Sequence, residues 1–327
     1  MTLTKKRLFF LTIIIFSIFI VGLFNLPESI IGHRDDNMLL FVPKIFFLAV
    51  TASIVLIIIV LITFRNDYFK GQFHTFNRFK YYLGLLIKRD FITKYRKSFL
   101  GVLWSLLNPL LLMLVMTLVF SYLFRFEIEN FPVYLLSGQT IFNFFKESTT
   151  LAMSSVIMNE SVIKKIYMPK YMYPLSKVVS SIVNLAFSLI AVLIVILFTG
   201  APFYWTMLLI PLPIIYIFMF SLGVSMLVSS LAVFFRDLTY LYEIFITLLM
   251  YLSAIFWPVD ILKGGILENV IGLNPMYQFI VYFRQLVYWG TVPDLWHNIV
   301  CLGFALSALC VGTAVFMKQQ DRFILGL

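Results

Sequence analysis

Lys146 and Glu147 stand side by side near the middle of residues 133–158, a stretch otherwise apolar enough to cross a bilayer. Ionised groups at such a depth are costly and are normally turned toward a cavity or a neighbouring helix. Adjacent helical residues project about 100° apart, so lipid-free surroundings for both imply a purpose. Two readings stay open: the pair meets polar groups at a helix or dimer interface, or it lines the route of a transported polymer. Arg236, Asp237 and Glu243 gather at the start of a later span, where they either shape an opening or act as interfacial anchors. None of this resembles a reaction centre. His33, His74 and His297 are scattered without metal-ligand spacing, and the other acids are dispersed without the paired spacing that acid–base work needs. Cys301 and Cys310 lie nine residues apart on one predicted helix, about 13 Å and beyond disulfide reach.

A second group of residues suggests mechanical rather than covalent chemistry. Residues 159–177, "NESVIKKIYMPKYMYPLSK", separate two long apolar runs. They are too charged and too broken by proline to cross a membrane. Lys164, Lys165, Lys170 and Lys177 mark the segment as cytoplasmic, Pro169 and Pro174 restrict its backbone, and Ile166, Tyr167 and Met168 form an apolar patch fit for a partner's groove. The plainer alternative is a short re-entry loop whose lysines only enforce orientation. The chain carries no G-x-x-x-x-G-K-[ST] phosphate loop, so any ATP-driven work needs a separate ATPase that acts through such a contact.

The elements around these groups are membrane elements. The chain has 327 residues, 61% hydrophobic and 18% aromatic with 12% charged, more apolar surface than a water-soluble fold could hide. Eight segments meet the length of about 20 apolar residues that a spanning helix needs: 8–24, 39–64, 101–124, 133–158, 178–199, 205–233, 238–257 and 295–317. The uncharged stretch 178–235 is broken by Thr199–Pro202 and reads as a helical hairpin. Basic residues concentrate at Lys5–Arg7, across 65–97, in 159–177 and at Arg236, Lys318 and Arg322. The other side holds most of the acids and few cations, among them Lys263 and Arg284. The positive-inside rule then puts both termini in the cytoplasm. The net charge of +10 is this bias, and no basic soluble surface for nucleic acid is evident.

Two segments are neither spans nor loops. Residues 79–97 place Phe79, Tyr82, Leu83, Leu86, Ile87 and Phe91 on one helical arc, interrupted by Asp90, with Lys88, Arg89, Lys94, Tyr95 and Arg96 around it. This predicts an interfacial helix on the inner leaflet, held in part by anionic membrane lipids. Residues 258–293 contain apolar pieces too short to span and are expected to re-enter from outside.

Taken in order, four stretches resemble the permease subunits of ABC-2 type exporters of polysaccharides and polyol phosphates (O-antigen, capsule, teichoic acid). They are "LIKRDFITKYRKSFLGVLWSLLNPLLLMLVMTLVFSYLF" (86–124), the 159–177 segment, "FFRDLTYLYEIFITLLMYLSAIFWP" (234–258) and "NPMYQFIVYFRQLVYWGTVP" (274–293). The resemblance implies an all-α integral membrane protein with a six-span core at 73–327, including an interfacial helix at 79–97, a coupling helix at 159–175 and an outer re-entrant segment at 258–293. Residues 1–72, with an extra helix pair, have no counterpart in plain members. It further implies a bacterial inner-membrane transport subunit, not an enzyme and without a cofactor of its own. ATP and Mg would sit on two copies of a partner ABC ATPase, beside a second copy of this chain and a lipid-linked glycan or polyol-phosphate substrate. The coupling contact would be Lys164, Lys165, Ile166, Tyr167, Met168, Pro169 and Lys170. Sugars suit aromatic tracks, so Trp104, Asn108, Tyr134, Phe142, Lys146, Glu147, Arg236, Asp237, Tyr251, Phe256 and Trp257 are candidates for the route. A membrane glycosyl or acyl transferase and a small-lipid or drug exporter are the competing readings.

Overall fold

The computed structural model describes residues 66–95, 100–120, 128–165, 168–258 and 270–323. The expected helix pair before residue 65, together with Arg96, Ile166, Tyr167 and Lys263, lies outside the described residues. Residues 66–327 cluster as one unit, and every regular element described in it is helical.

The elements run in order as α1 (Asn66–Tyr95), α2 (Trp104–Val119), α3 (Phe131–Met158), the single turn α4 (Glu160–Ile163), α5 (Met172–Thr199), α6 (Pro211–Phe234), α7 (Leu238–Tyr251), α8 (Pro275–Val287) and α9 (Leu295–Gln319). Among the described residues, four helical stretches are long and apolar enough to cross a membrane: Gly101–Val119, Met172–Thr199, Trp205–Phe234 and Leu295–Arg322. The predicted hairpin is present. α5 ends at Gly200 with φ of 68°, a left-handed stop that glycine adopts without a Cβ clash. α6 then starts with Pro211 in its first turn, where the missing N–H is no loss.

After α1, the least apolar of the long helices is also the most buried. α3 buries most of its residues from Phe131 to Val156 and packs on α2, α5, α6, α7 and α8. Surrounded by protein, it can carry Ser137, Thr140, Ser148, Thr149 and Ser155, each of which donates back to a carbonyl three or four residues earlier. α6 and α9 make the most extensive helix contact in the unit. Gly223 and Gly312 let their backbones touch, because a Cβ on either would overlap the other helix's main chain.

Two expectations are corrected here. The interfacial helix was read as 79–97, but α1 begins at Asn66, and its buried Leu83 and Leu86 seat it on the bundle. The span read at 238–257 stops at Tyr251 after 14 residues, about 21 Å against a hydrocarbon core of about 30 Å. Turns follow, with Ala254 at φ of 48°.

Candidate functional site

The basic end of the bundle is built around α1. Its amphipathic spacing buries Leu83 and Leu86 in a cluster with Val156, Ile163, Met168, Met172, Tyr173 and Phe316. That seat puts two consecutive polar residues against both ends of the 159–177 segment. Arg89 donates to Asn159 at 3.3 Å, and Asp90 pairs with Lys177 at 2.8 Å. Asn159 is itself fixed, donating to the Ser155 carbonyl at 2.7 Å. One turn further along α1, Lys94 meets Glu147 of α3 at 2.6 Å, and Asn184 of α5 donates to the same carboxylate oxygen at 2.6 Å. Tyr95 donates to Asn184 at 2.7 Å and touches Ser105 of α2. Asp90, which interrupts the apolar arc, is therefore an anchor, and the last two turns of α1 reach α2, α3, α5 and the loop between α3 and α5.

Within that loop the predicted coupling residues separate. Lys164 is exposed and pairs with Glu160 at 2.5 Å, and Lys165 is exposed beside it. Met168 is 7% exposed and packs in the chain's own cluster. That corrects its assignment to a partner-facing plug: its side chain holds the loop down. Pro169 is half-buried. Lys170 donates to the Gln320 carbonyl at 2.5 Å and lies over the Phe323 ring. Burial lowers its ammonium below the usual lysine range, partly countered by Asp321. Of this set, Lys164 and Lys165 are the described residues free to meet a partner.

The route candidates also divide. Trp104, Asn108, Lys146, Arg236, Asp237 and Tyr251 are exposed. Tyr134, Phe142 and Phe256 are buried in the main core, so their rings line no surface of this chain. Phe256 stacks on Phe120 with centroids 5.5 Å apart, and Tyr134 donates to the carbonyl of half-buried Trp257 at 3.1 Å. Lys88 is exposed on α1.

Arg284 is the residue whose burial sequence reasoning missed. Read as one of the few cations of the outer side, it is 1% exposed inside α8. Its guanidinium donates to the Tyr134 carbonyl from Nε and Nη2 at 3.3 and 3.2 Å, to the Ala254 carbonyl at 3.0 Å and to the Ile255 carbonyl at 3.0 Å. Its plane lies 3.5 Å from the centre of the Tyr134 ring. Asn274, which caps α8, donates to the Leu252 carbonyl at 3.0 Å. Together they bond carbonyls of the turns that follow α7, at Leu252, Ala254 and Ile255, and one in the first turn of α3, at Tyr134, so the non-helical backbone after α7 is held without solvent. The available signal was an arginine in an apolar run too short to span.

Long apolar helices around a polar central helix, with a charged loop clamped at one end, define a multi-pass membrane protein of the transporter kind. The ABC-2 type transporter family model matches residues 81–288, and the chain belongs to that family. An O-antigen export system permease protein, RfbA, of Klebsiella pneumoniae is 32% identical over 259 residues, covering 75% of this chain and 97% of that protein. The Myxococcus xanthus protein of the same name is 27% identical, covering 74% and 95%. The capsule polysaccharide export inner-membrane protein CtrC of Neisseria meningitidis is 23% identical, covering 72% and 90%. The expected resemblance is borne out.

Proposed function

We propose that this chain is the membrane subunit of an ATP-driven exporter that moves a lipid-linked polysaccharide or teichoic-acid-like polymer across the bacterial cytoplasmic membrane. Two copies work with two ABC ATPase subunits that bind ATP and Mg. The membrane core is oriented with both termini and the 159–177 segment in the cytoplasm, where the basic residues gather. The observation that carries this reading is the similarity to O-antigen export permeases along nearly their whole length. The clamped loop supports it: a contact that must deliver force needs stiff attachment, and Asn159 and Lys177 are each tied to α1.

The test is purification with the native ATPase and mass spectrometry of whatever lipid-linked glycan travels with the complex. A small lipid or drug in its place, or failure to retain any ATPase, would overturn the reading. Ile166→Ser with Tyr167→Ser tests the coupling contact. The expected result is an inserted protein that loses its ATPase or retains it without export, whereas Lys164→Gln with Lys165→Gln weakens assembly less.

A further inference from the structure

The Lys146 side chain has no ion-pair or hydrogen-bond partner among the described residues. Its neighbour Glu147 is committed to Lys94 and Asn184, so α3 presents a net cation on an exposed surface. Glu243 of α7 is likewise exposed and without a side-chain partner among the described residues. The two charges lie at nearly the same depth. Buried Tyr242 of α7 is turned toward Thr149 of α3, and short connections make these helices antiparallel. From that level Lys146 is three residues and Glu243 one residue further from the basic end, about 4.5 and 1.5 Å along their axes, a difference of about 3 Å. The sequence placed Glu243 with Arg236 and Asp237 at the mouth of the span, but this register puts it deeper.

Each charge belongs to a polar stripe. Thr239, Glu243, Thr247 and Tyr251 recur every four residues on α7 and are all exposed, and Asn143 joins Lys146 on the open side of α3. A helix facing lipid does not carry such a line. α7 fully buries only Tyr242 and Ile246 and α2 only Pro109, so both of these neighbours of α3 leave most of their surface uncovered. A second copy related by a two-fold axis covers it with matching charges, because in such an interface residue i meets j and j meets i.

We propose that two copies meet along α2, α3 and α7, and that Lys146 of each forms an ion pair with Glu243 of the other, closing the polar seam until a polymer displaces the pairs. This rests on the exporter reading above, and the experiment separates their failures. With Cys301 and Cys310 replaced by Ala, Lys146→Cys with Glu243→Cys is expected to give a dimer-sized disulfide product under mild oxidant in native membranes. Either single cysteine is not. Oxidation should stop export in the presence of the ATPase, and reductant should restore it. Lys146→Glu and Glu243→Lys should each lower export about tenfold, since like charges then face each other, and the combined swap should recover most of it. A complex that is dimeric by native mass but shows neither cross-linking nor recovery by the swap overturns the pairing and leaves Lys146 lining an aqueous route. A chain that is monomeric and holds no ATPase overturns the exporter reading instead.

Discussion

The two ends of the bundle are fastened by different chemistry. At the basic end α1 is held by side chains meeting side chains, and these pairs are only partly covered: Lys94 and Glu147 are 47% and 28% exposed. At the other end Arg284 is sealed from solvent and holds only main-chain carbonyls from two separate parts of the chain. A hydrated ion pair can exchange partners at little cost, because water and other charges replace what is lost. A buried guanidinium has no replacement, so its bonds persist through any motion. The first arrangement suits a joint and the second a fixed bracket.

The comparison is broken most forcefully at Arg284. Arg284→Met leaves the Tyr134, Ala254 and Ile255 carbonyls buried and unpaired, at about 3–5 kcal/mol, a drop of roughly 10 °C in the melting temperature of the detergent-solubilised protein. Arg284→Lys should fare little better, because an ammonium lacks the planar fork that reaches three carbonyl groups. A melting curve for Arg284→Lys that matches the parent would show that charge rather than geometry is what the bracket supplies.

A middle-sized effect is expected at Asp90 and Lys177, which are 14% and 15% exposed. Asp90→Asn or Lys177→Gln should lower melting by a few degrees at most, in keeping with about 1–2 kcal/mol for a partly shielded pair, yet reduce export per ATP hydrolysed. Exchanging the two charges, Asp90→Lys with Lys177→Asp, should recover part of that ratio. If stability and coupling fall in proportion, the contact is a bracket like the one at Arg284.

The smallest change belongs to Lys94→Gln. Its exposed pair is worth less than about 1 kcal/mol, and Asn184 still donates to Glu147. Melting should be unchanged and the loss of export slight, shrinking further as salt is raised. A large loss at any salt concentration would mean that this end is not the softer one.

What the sequence disclosed follows from how far each signal reaches. The arc of Phe79, Tyr82, Leu83 and Leu86 was legible because helical periodicity is local, and the hairpin break at Gly200 because glycine marks it. Asp90 looked like a flaw in that arc, since its partner Lys177 is 87 positions away and no local pattern links them. The end of α7 was invisible: apolar residues continue to Trp257 without a glycine or proline, and Arg284 and Asn274, which donate to carbonyls of the turns that follow, come from α8 and its cap. Phe142, Phe256 and Met168 show the same limit. An apolar side chain reads alike whether it faces a partner or its own core, and only packing separates the two.

The Gly223–Gly312 contact bears on how the protein is made. The tightest helix pair in the unit joins α6 to α9, which leaves the ribosome after it. Until residues 295–319 enter the bilayer, the notch at Gly223 has only lipid against it, and Ser230 lacks the Gln319 side chain it later bonds at 2.6 Å. The most exacting fit therefore waits for residues 295–319, and a chain released before Gly312 has emerged would sit in the membrane with an open seam, marked for proteolysis by an absent neighbour.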